Sequence, residues 1–289
     1  RERGTPPGER DLRDYLETSV GPTLTALAFE GFNRKFWGRR LDEMPASWGK
    51  LRRLERIAEQ GAWRLPSEAA HYYPRGGFNP LFDRMLDGID VRYGVAVERI
   101  DADARGASVV TGAGTFRADL VVTTAPIDAL LDHRYGRLEW RGYRVEVEHV
   151  EPSDEPPLGA APDGIPFAWV YTPWAETPVC RTTDFGVIHH GPRMEDRPGP
   201  TVLLREIVDD RVSMYPVWWE DERFLRYLGD AARLPSVVPL GRLGLYKYTT
   251  MDSTLSMVQR LAASLDDYLA SGPARRVEIL RAVRGDWGN

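Results

Sequence analysis

The chain has 289 residues, 42% hydrophobic and 28% charged, enough for a sizeable core in one large domain or two ordinary ones; a disulfide-built miniature and a disordered chain are excluded. A net charge of −5 has the wrong sign for a non-specific nucleic-acid binder, so no nucleic-acid partner is expected. One cysteine, Cys180, excludes an internal disulfide and a multi-cysteine zinc site, no run approaches the ~18 apolar residues of a membrane span, and a reducing, cytoplasmic setting is the default. The chain opens Arg1-Glu2-Arg3-Gly4, without Met, and closes on Asp286-Trp287-Gly288-Asn289, so it reads as a fragment of a longer protein.

A polar, Pro/Gly-rich start (residues 1–9) leads into an amphipathic helix from Asp11, with Leu12, Tyr15, Leu16 and Val20 on one face. Gly21-Pro22 breaks it. A second helix is predicted over residues 23–37 and a third over 46–60, where Leu51, Leu54 and Ile57 recur at helical spacing. Residues 71–77 form a turn, and 79–86 a short helix capped by Asn79 with Pro80 at its first position. Strands are predicted at 91–93 and 95–100, then a hairpin around Gly112-Ala113-Gly114, then a buried strand at 119–124 ending at Ala125-Pro126. Residues 143–150 alternate as a half-exposed strand does, and 151–166 is a Pro-rich acidic loop. Further strands are predicted at 167–171, 186–190, 201–208 and 212–215, a helix at 220–233, a last strand at 237–240 and a closing helix at 251–269. The basic segment 271–289 has no clear assignment.

The histidines fit no metal-ligand spacing, and no metal site is expected. No GxSxG elbow is present, and the lone Gly-Ala-Gly precedes a strand rather than a helix, so no nucleotide-binding fingerprint is visible. Arg181 beside Cys180 is a setting that lowers a thiol pKa, but a small apolar filler in a strand is the simpler reading. Phe29, Phe32, Phe36 and Trp37 cluster with Arg34 and Lys35 before Gly38. Such a group either stacks a base or sugar and holds an anion, or buries a helix by its aromatics; composition favours burial. Gly241-Arg242-Leu243-Gly244 lies between a strand and a helix near Met251, which is either an anion site or an ordinary turn.

A chain of motifs narrows this. In order they are Gly31-Phe32-Asn33-Arg34-Lys35-Phe36-Trp37-Gly38, Tyr73-Pro74-Arg75-Gly76-Gly77-Phe78, Met85-Leu86-Asp87-Gly88 and Ala125-Pro126-Ile127-Asp128-Ala129. Then come Asp132-His133-Arg134-Tyr135-Gly136-Arg137-Leu138-Glu139-Trp140-Arg141, Pro178-Val179-Cys180-Arg181, Tyr215-Pro216-Val217 and Gly241-Arg242-Leu243-Gly244-Leu245-Tyr246-Lys247-Tyr248. Together they resemble the UDP-galactopyranose mutase family over residues 11–268, with residues 126–141 the most specific stretch. The resemblance implies an α/β fold: an FAD/NAD(P)-binding-like α/β domain with a helical substrate subdomain and an antiparallel β-sheet subdomain. The implied divisions are 1–72 for the helical part, 73–130 and 236–270 for the flavin-binding part, 131–235 for the sheet and 271–289 for a C-terminal tail. The family's N-terminal βαβ unit with its glycine-rich fingerprint, roughly a hundred residues, is not in this sequence. Truncation is the preferred account, which leaves these residues inactive alone; a natural flavin-free relative is the other.

The resemblance further implies a non-redox isomerisation that interconverts pyranose and furanose forms of a nucleotide sugar, UDP-galactose first, with FAD in its reduced form as the nucleophilic cofactor. That chemistry serves galactofuranose and cell-wall polysaccharide biosynthesis. By matching position, Phe29 and Phe32 hold the uracil, with Phe32 replacing the family's usual Tyr, and Trp37 lines the substrate. Arg181 acts on the diphosphate, a second diphosphate arginine is counted to Arg64, and Tyr215 and Tyr248 stand near the same group. Arg242, with Gly241, Met251 and Asp252, contacts FAD. Thr250 stands where Asp is usual, and Tyr171 and Trp218 where polar residues are common, which leaves the sugar open. An amine-oxidase-like flavin oxidoreductase and a flavin-free nucleotide-sugar binder are the alternatives, and a homodimer is a candidate assembly.

Overall fold

Asp11, at extended backbone angles, accepts a hydrogen bond from the Asp14 amide at 2.8 Å and so starts the helix Leu12–Val20. The computed structural model describes residues 10–51, 73–74, 76–103, 105–151, 155–191, 199–212, 214–217 and 222–285. Its chain divides into two compact units, one of residues 1–90 and 143–209, the other of 91–142 and 210–289.

In the first unit, Leu12, Tyr15 and Leu16 are buried along one face of the opening helix, as their spacing predicts. Gly21 ends it at φ 91°, and Pro22 opens the next turn, where its missing N–H costs nothing. The predicted helix over 23–37 is continuous but not uniform: Pro22–Leu24 is α, Thr25–Glu30 is a π-helix, and Gly31–Trp37 is α again. Wider π turns inside α-helices gather at functional sites. Gly38, at φ 66°, closes the run in the left-handed conformation. The helix at 46–60 is described only as Ala46–Leu51; its remainder lies outside the described residues.

The same unit holds a four-stranded antiparallel sheet in the order Tyr143–Val150, Thr201–Val208, Val179–Asp184, Trp169–Tyr171. Two expectations change here. Residues 186–190 are not a strand but the helix Phe185–His190. The buried Asp184 carboxylate caps it, accepting from the Gly186 and Val187 amides and from the Thr201 hydroxyl. The short helix Asn79–Met85 is preceded by Phe78, not capped by Asn79, because Asn79 already has helical angles.

The second unit contains a three-stranded meander of Val97–Asp103, Gly106–Thr111 and Gly114–Ala118, whose Gly112-Ala113 turn is the predicted hairpin. Residues 91–93 are not a strand. Val121–Thr123 pairs in parallel with Val237–Pro239. The strand predicted as buried is only partly so, since Val122 is 47% exposed in a sheet of two strands. Around it the helices Arg223–Ala231, Met251–Ala270 and Pro273–Arg284 close a core of Ile127, Phe224, Leu228, Val238, Leu261 and Leu280. The last helix replaces the unassigned tail. Lys247 Nζ donates to the Arg284 and Gly285 carbonyls at 2.6 and 2.7 Å, and Arg284 Nε donates back to the Leu245 carbonyl at 3.0 Å. A cation among the terminal carbonyls of a helix satisfies acceptors that have no helical partner. Among the described residues no helix is long and apolar enough to cross a membrane.

Two tyrosines of this core differ in what their hydroxyls meet. Tyr227 Oη accepts from the Tyr135 amide at 2.9 Å and donates to the Gly136 carbonyl at 2.8 Å. The Tyr268 hydroxyl is buried without a protein partner, and burial pushes its pKa up to about 12. Tyr227→Phe is expected to cost about 1–3 kcal/mol, because it removes two hydrogen bonds that the buried ring makes to the 135–136 turn, whereas Tyr268→Phe is expected to be neutral or stabilising. Urea-unfolding midpoints of the two variants check this; equal losses would contradict the assignment.

Candidate functional site

The first unit builds an aromatic and cationic row. Phe32 lies on the helix Gly31–Trp37, with its ring stacked on Phe36 at 5.7 Å and edge-on to Tyr171 at 5.4 Å. Tyr171 pairs with Arg181 across the sheet, and Arg181 pairs with Glu206 on the next strand. Side chains opposite each other in a ladder share a face, so the three form a line across neighbouring strands. The pairing shifts between Val179 and Arg181, where an irregularity brings Arg181 rather than Cys180 opposite Glu206.

Arg181 and Glu206 make a direct ion pair, with the guanidinium 31% and the carboxylate 12% exposed. Burial alone lowers the arginine's pKa, but the hydrogen bond and charge of Glu206 more than reverse it, leaving the guanidinium held charged above its ordinary value. Its carbon lies 5.8 Å from the Tyr171 ring centre, and its Nε is buried without a protein partner. A third-exposed, permanently charged fork beside aromatic rings suits an anion attached to a planar group.

Lys35, on the same helix as Phe32, reaches the chain that follows Tyr171. Its ammonium donates to the Thr172, Trp174, Thr177 and Val179 carbonyls at 2.9, 2.9, 3.0 and 2.6 Å. Burial pushes its pKa below the ordinary lysine value, against the raising effect of Cys180 and Glu176. Trp37 departs from expectation. It is 1% exposed, held edge-on between Phe36 and Trp48 at 4.9 and 5.0 Å, and so supports Phe36 from behind rather than presenting a face to a ligand. Phe29 is half-buried on the π-helix, where its carbonyl accepts from Asn33 Nδ2 at 2.8 Å. Arg64 and Trp218 lie outside the described residues.

The second unit gathers a separate cluster. Tyr215 and Tyr248 stack at 5.5 Å, and the Arg242 guanidinium lies 4.7 and 5.2 Å from their ring centres. Arg242 also donates to the Thr249 carbonyl. Gly241 precedes it at φ 78°, and a Cβ there would lie 3.7 Å from Thr124 Cγ2. Met251 and Asp252 are exposed in the first turn of the 20-residue helix, behind the cap formed by Thr250 and Ser253. This donor set fits the anionic and hydroxyl-bearing part of FAD. Arg242 brings a cation, the helix start brings amide N–H groups, and the glycine leaves room for close approach. Among the described residues no group of three or more His, Cys, Asp or Glu could hold a metal ion.

One site residue escaped the sequence. Glu206 sits in a strand that was legible, but its pairing with Arg181 depends on register. Lys35 was singled out as a possible anion holder, but its partners are main-chain oxygens 137–144 residues away, which no local pattern shows.

Each unit thus sets a guanidinium against aromatic rings, and the comparisons give the family that this fold belongs to. A family model described as UDP-galactopyranose mutase matches residues 27–248. The chain belongs to that family. The dTDP-fucopyranose mutase of Escherichia coli is 24% identical over 255 residues, 81% of this chain and 58% of the relative, so the chain spans under two thirds of that protein's length. A solved structure described as reduced UDP-galactopyranose mutase superposes with a TM-score of 0.63 at 16% identity, covering 99% of this chain and 74% of the other; it shows the shared fold.

Cys180 takes the apolar reading. It is 1% exposed, at the irregularity beside Arg181, and burial pushes its thiol up to about 11, against the lowering effect of Lys35. Iodoacetamide at about pH 8 is expected to leave it unmodified in the folded protein and to modify it fully after unfolding. Mass spectrometry reads both states, and fast native alkylation would refute the burial.

Proposed function

We propose that the chain carries the substrate-binding part of a nucleotide-sugar pyranose–furanose mutase, with UDP-galactose as its first substrate and reduced FAD as its cofactor. Family membership supports the reaction class. The observation that carries the reading on this chain is Arg181: a charged guanidinium fixed by Glu206 and flanked by Tyr171, with Phe32 one ring further on.

The isomerisation requires the anomeric C–O bond to break, which leaves negative charge on the departing diphosphate. A fixed cation at that position lowers the barrier, since it meets more charge in the transition state than in the bound substrate. Arg181 has the properties for this role: the sheet fixes its backbone and Glu206 fixes its side chain, so little reorganisation is needed when the charge appears. Phe32 offers a face for the uracil without the hydroxyl a tyrosine would add. Tyr215 and Tyr248 are assigned to phosphate oxygens as phenol donors, and Arg242, Gly241, Met251 and Asp252 to the cofactor. When bound and reduced, FAD supplies the nucleophile toward the anomeric carbon, so the reading requires no nucleophilic side chain, and the inert Cys180 is consistent with that. The relative's name makes dTDP-fucopyranose the second sugar to assay.

The protein expressed from its complete gene and reduced with dithionite is expected to interconvert UDP-galactopyranose and UDP-galactofuranose, or the dTDP-fucose pair, by chromatography. Arg181→Ala should lower turnover by about 10²–10³-fold, as removal of a transition-state charge partner does. Near-parental turnover in that variant would remove Arg181 from its role, and inactivity on both sugar nucleotides would end the proposal.

A further inference from the structure

Lys35 is used by none of the roles above, yet few side chains in the first unit are as fully committed. An ammonium has three N–H donors, and four carbonyl oxygens lie within 3.0 Å of it. Three belong to the loop between the strands Trp169–Tyr171 and Val179–Asp184 and the fourth, Val179, opens the second strand, so a single cation gathers dipoles that would otherwise repel. One turn earlier on the same helix face, Gly31 lies against the same loop: a Cβ there would sit 2.1 Å from the Pro173 carbonyl oxygen. The helix therefore touches the loop at two points, by close approach at Gly31 and by charge at Lys35. Phe32 is carried on the helix between those points, and Tyr171 and Arg181 flank the two ends of the loop.

We propose that Lys35 is a positioning residue for nucleotide recognition, an internal cation that organises residues 172–179 and so sets Tyr171 and Arg181 at a fixed reach from Phe32. The ligand that this spacing serves carries an aromatic base and a phosphate group. This rests on the reading of Phe32 and Arg181 as substrate contacts. The ring of carbonyls has the chemistry of a potassium or ammonium site, since carbonyl oxygens replace the hydration shell of such ions. A side chain without charge at position 35 then leaves a vacancy that a small monovalent cation fills.

The test uses the complete protein, with UDP affinity by calorimetry and amide hydrogen exchange over residues 171–181. Lys35→Met keeps the stem and removes the charge. It is expected to weaken UDP binding by about tenfold or more, because small misplacements of positioning groups are costly, and to expose the loop to exchange. Added potassium or ammonium should restore part of both, and tetramethylammonium should not, a rescue that a purely structural loss would not show. Gly31→Ala should weaken UDP binding in the same direction without ion rescue; it carries the test if Lys35→Met does not fold, and unchanged affinity in it would then overturn the proposal. Parental affinity and loop protection in Lys35→Met would overturn it outright. If the parent binds no UDP while the loop still opens in Lys35→Met and closes again with potassium, the nucleotide role fails and the organising of the loop stands.

Discussion

A guanidinium on a sheet face must be paired, and that constraint runs through the first unit. Arg181 is only about a third exposed and is held by Glu206 from the adjacent strand. The pairing is possible only because the ladder is irregular between Val179 and Arg181. Regular pairing would put Cys180 opposite Glu206, and alternation would turn Arg181 toward the other face. The small apolar Cys180 is left as the unpaired residue of that irregularity, and its raised pKa is a consequence of its burial. One local shift in register therefore decides which residue stands opposite Glu206 and which carboxylate keeps the guanidinium in place.

The second unit solves a similar problem differently. Among the described residues Arg242 has no carboxylate in the role of Glu206; it sits against two tyrosine rings and donates to a main-chain carbonyl. Ring faces attract a cation without neutralising it, so its charge stays available to an anion. An ion-paired arginine is instead fixed more firmly and offers less net charge. The first arrangement suits holding a cofactor's phosphates in place, and the second suits precise aim at a group whose charge grows during reaction.

Much of the architecture was legible because it rests on periodicity. The opening helix, the strands Tyr143–Val150 and Thr201–Val208, the hairpin and the long helix Met251–Ala270 all follow their apolar spacing. The helix Phe185–His190 did not, because its cap works through Asp184 and Thr201, which meet only once the sheet has formed. Arg181 was legible through family motifs, but its partner was not, since register is a tertiary property. Trp37 was misplaced for a related reason. An aromatic beside a binding residue reads the same whether it faces a ligand or the core, and here Trp48 takes it inward. The final helix gave little apolar pattern of its own. Besides the buried Ile279, Leu280 and Val283, it is held by reciprocal Lys247 and Arg284 contacts to main-chain oxygens, which leave no trace in spacing.

The same distinction bears on sugar selectivity. Thr250 stands where the family usually has an acid, and its hydroxyl is engaged with Ser253 at 2.9 Å and with the backbone of its own helix start. A hydroxyl committed to a cap is a poor discriminator of sugar hydroxyls, because engaging one means surrendering a bond that holds the helix. Phe32 likewise lacks the phenol that would read a polar edge. Both departures remove polar contacts from places where a sugar or base would be distinguished, and neither touches Arg181. On the proposed reading, affinity then rests on the diphosphate and on stacking. Those features are shared by every nucleotide sugar, so the chain's own described residues favour a tolerant site over one that selects a particular hexose.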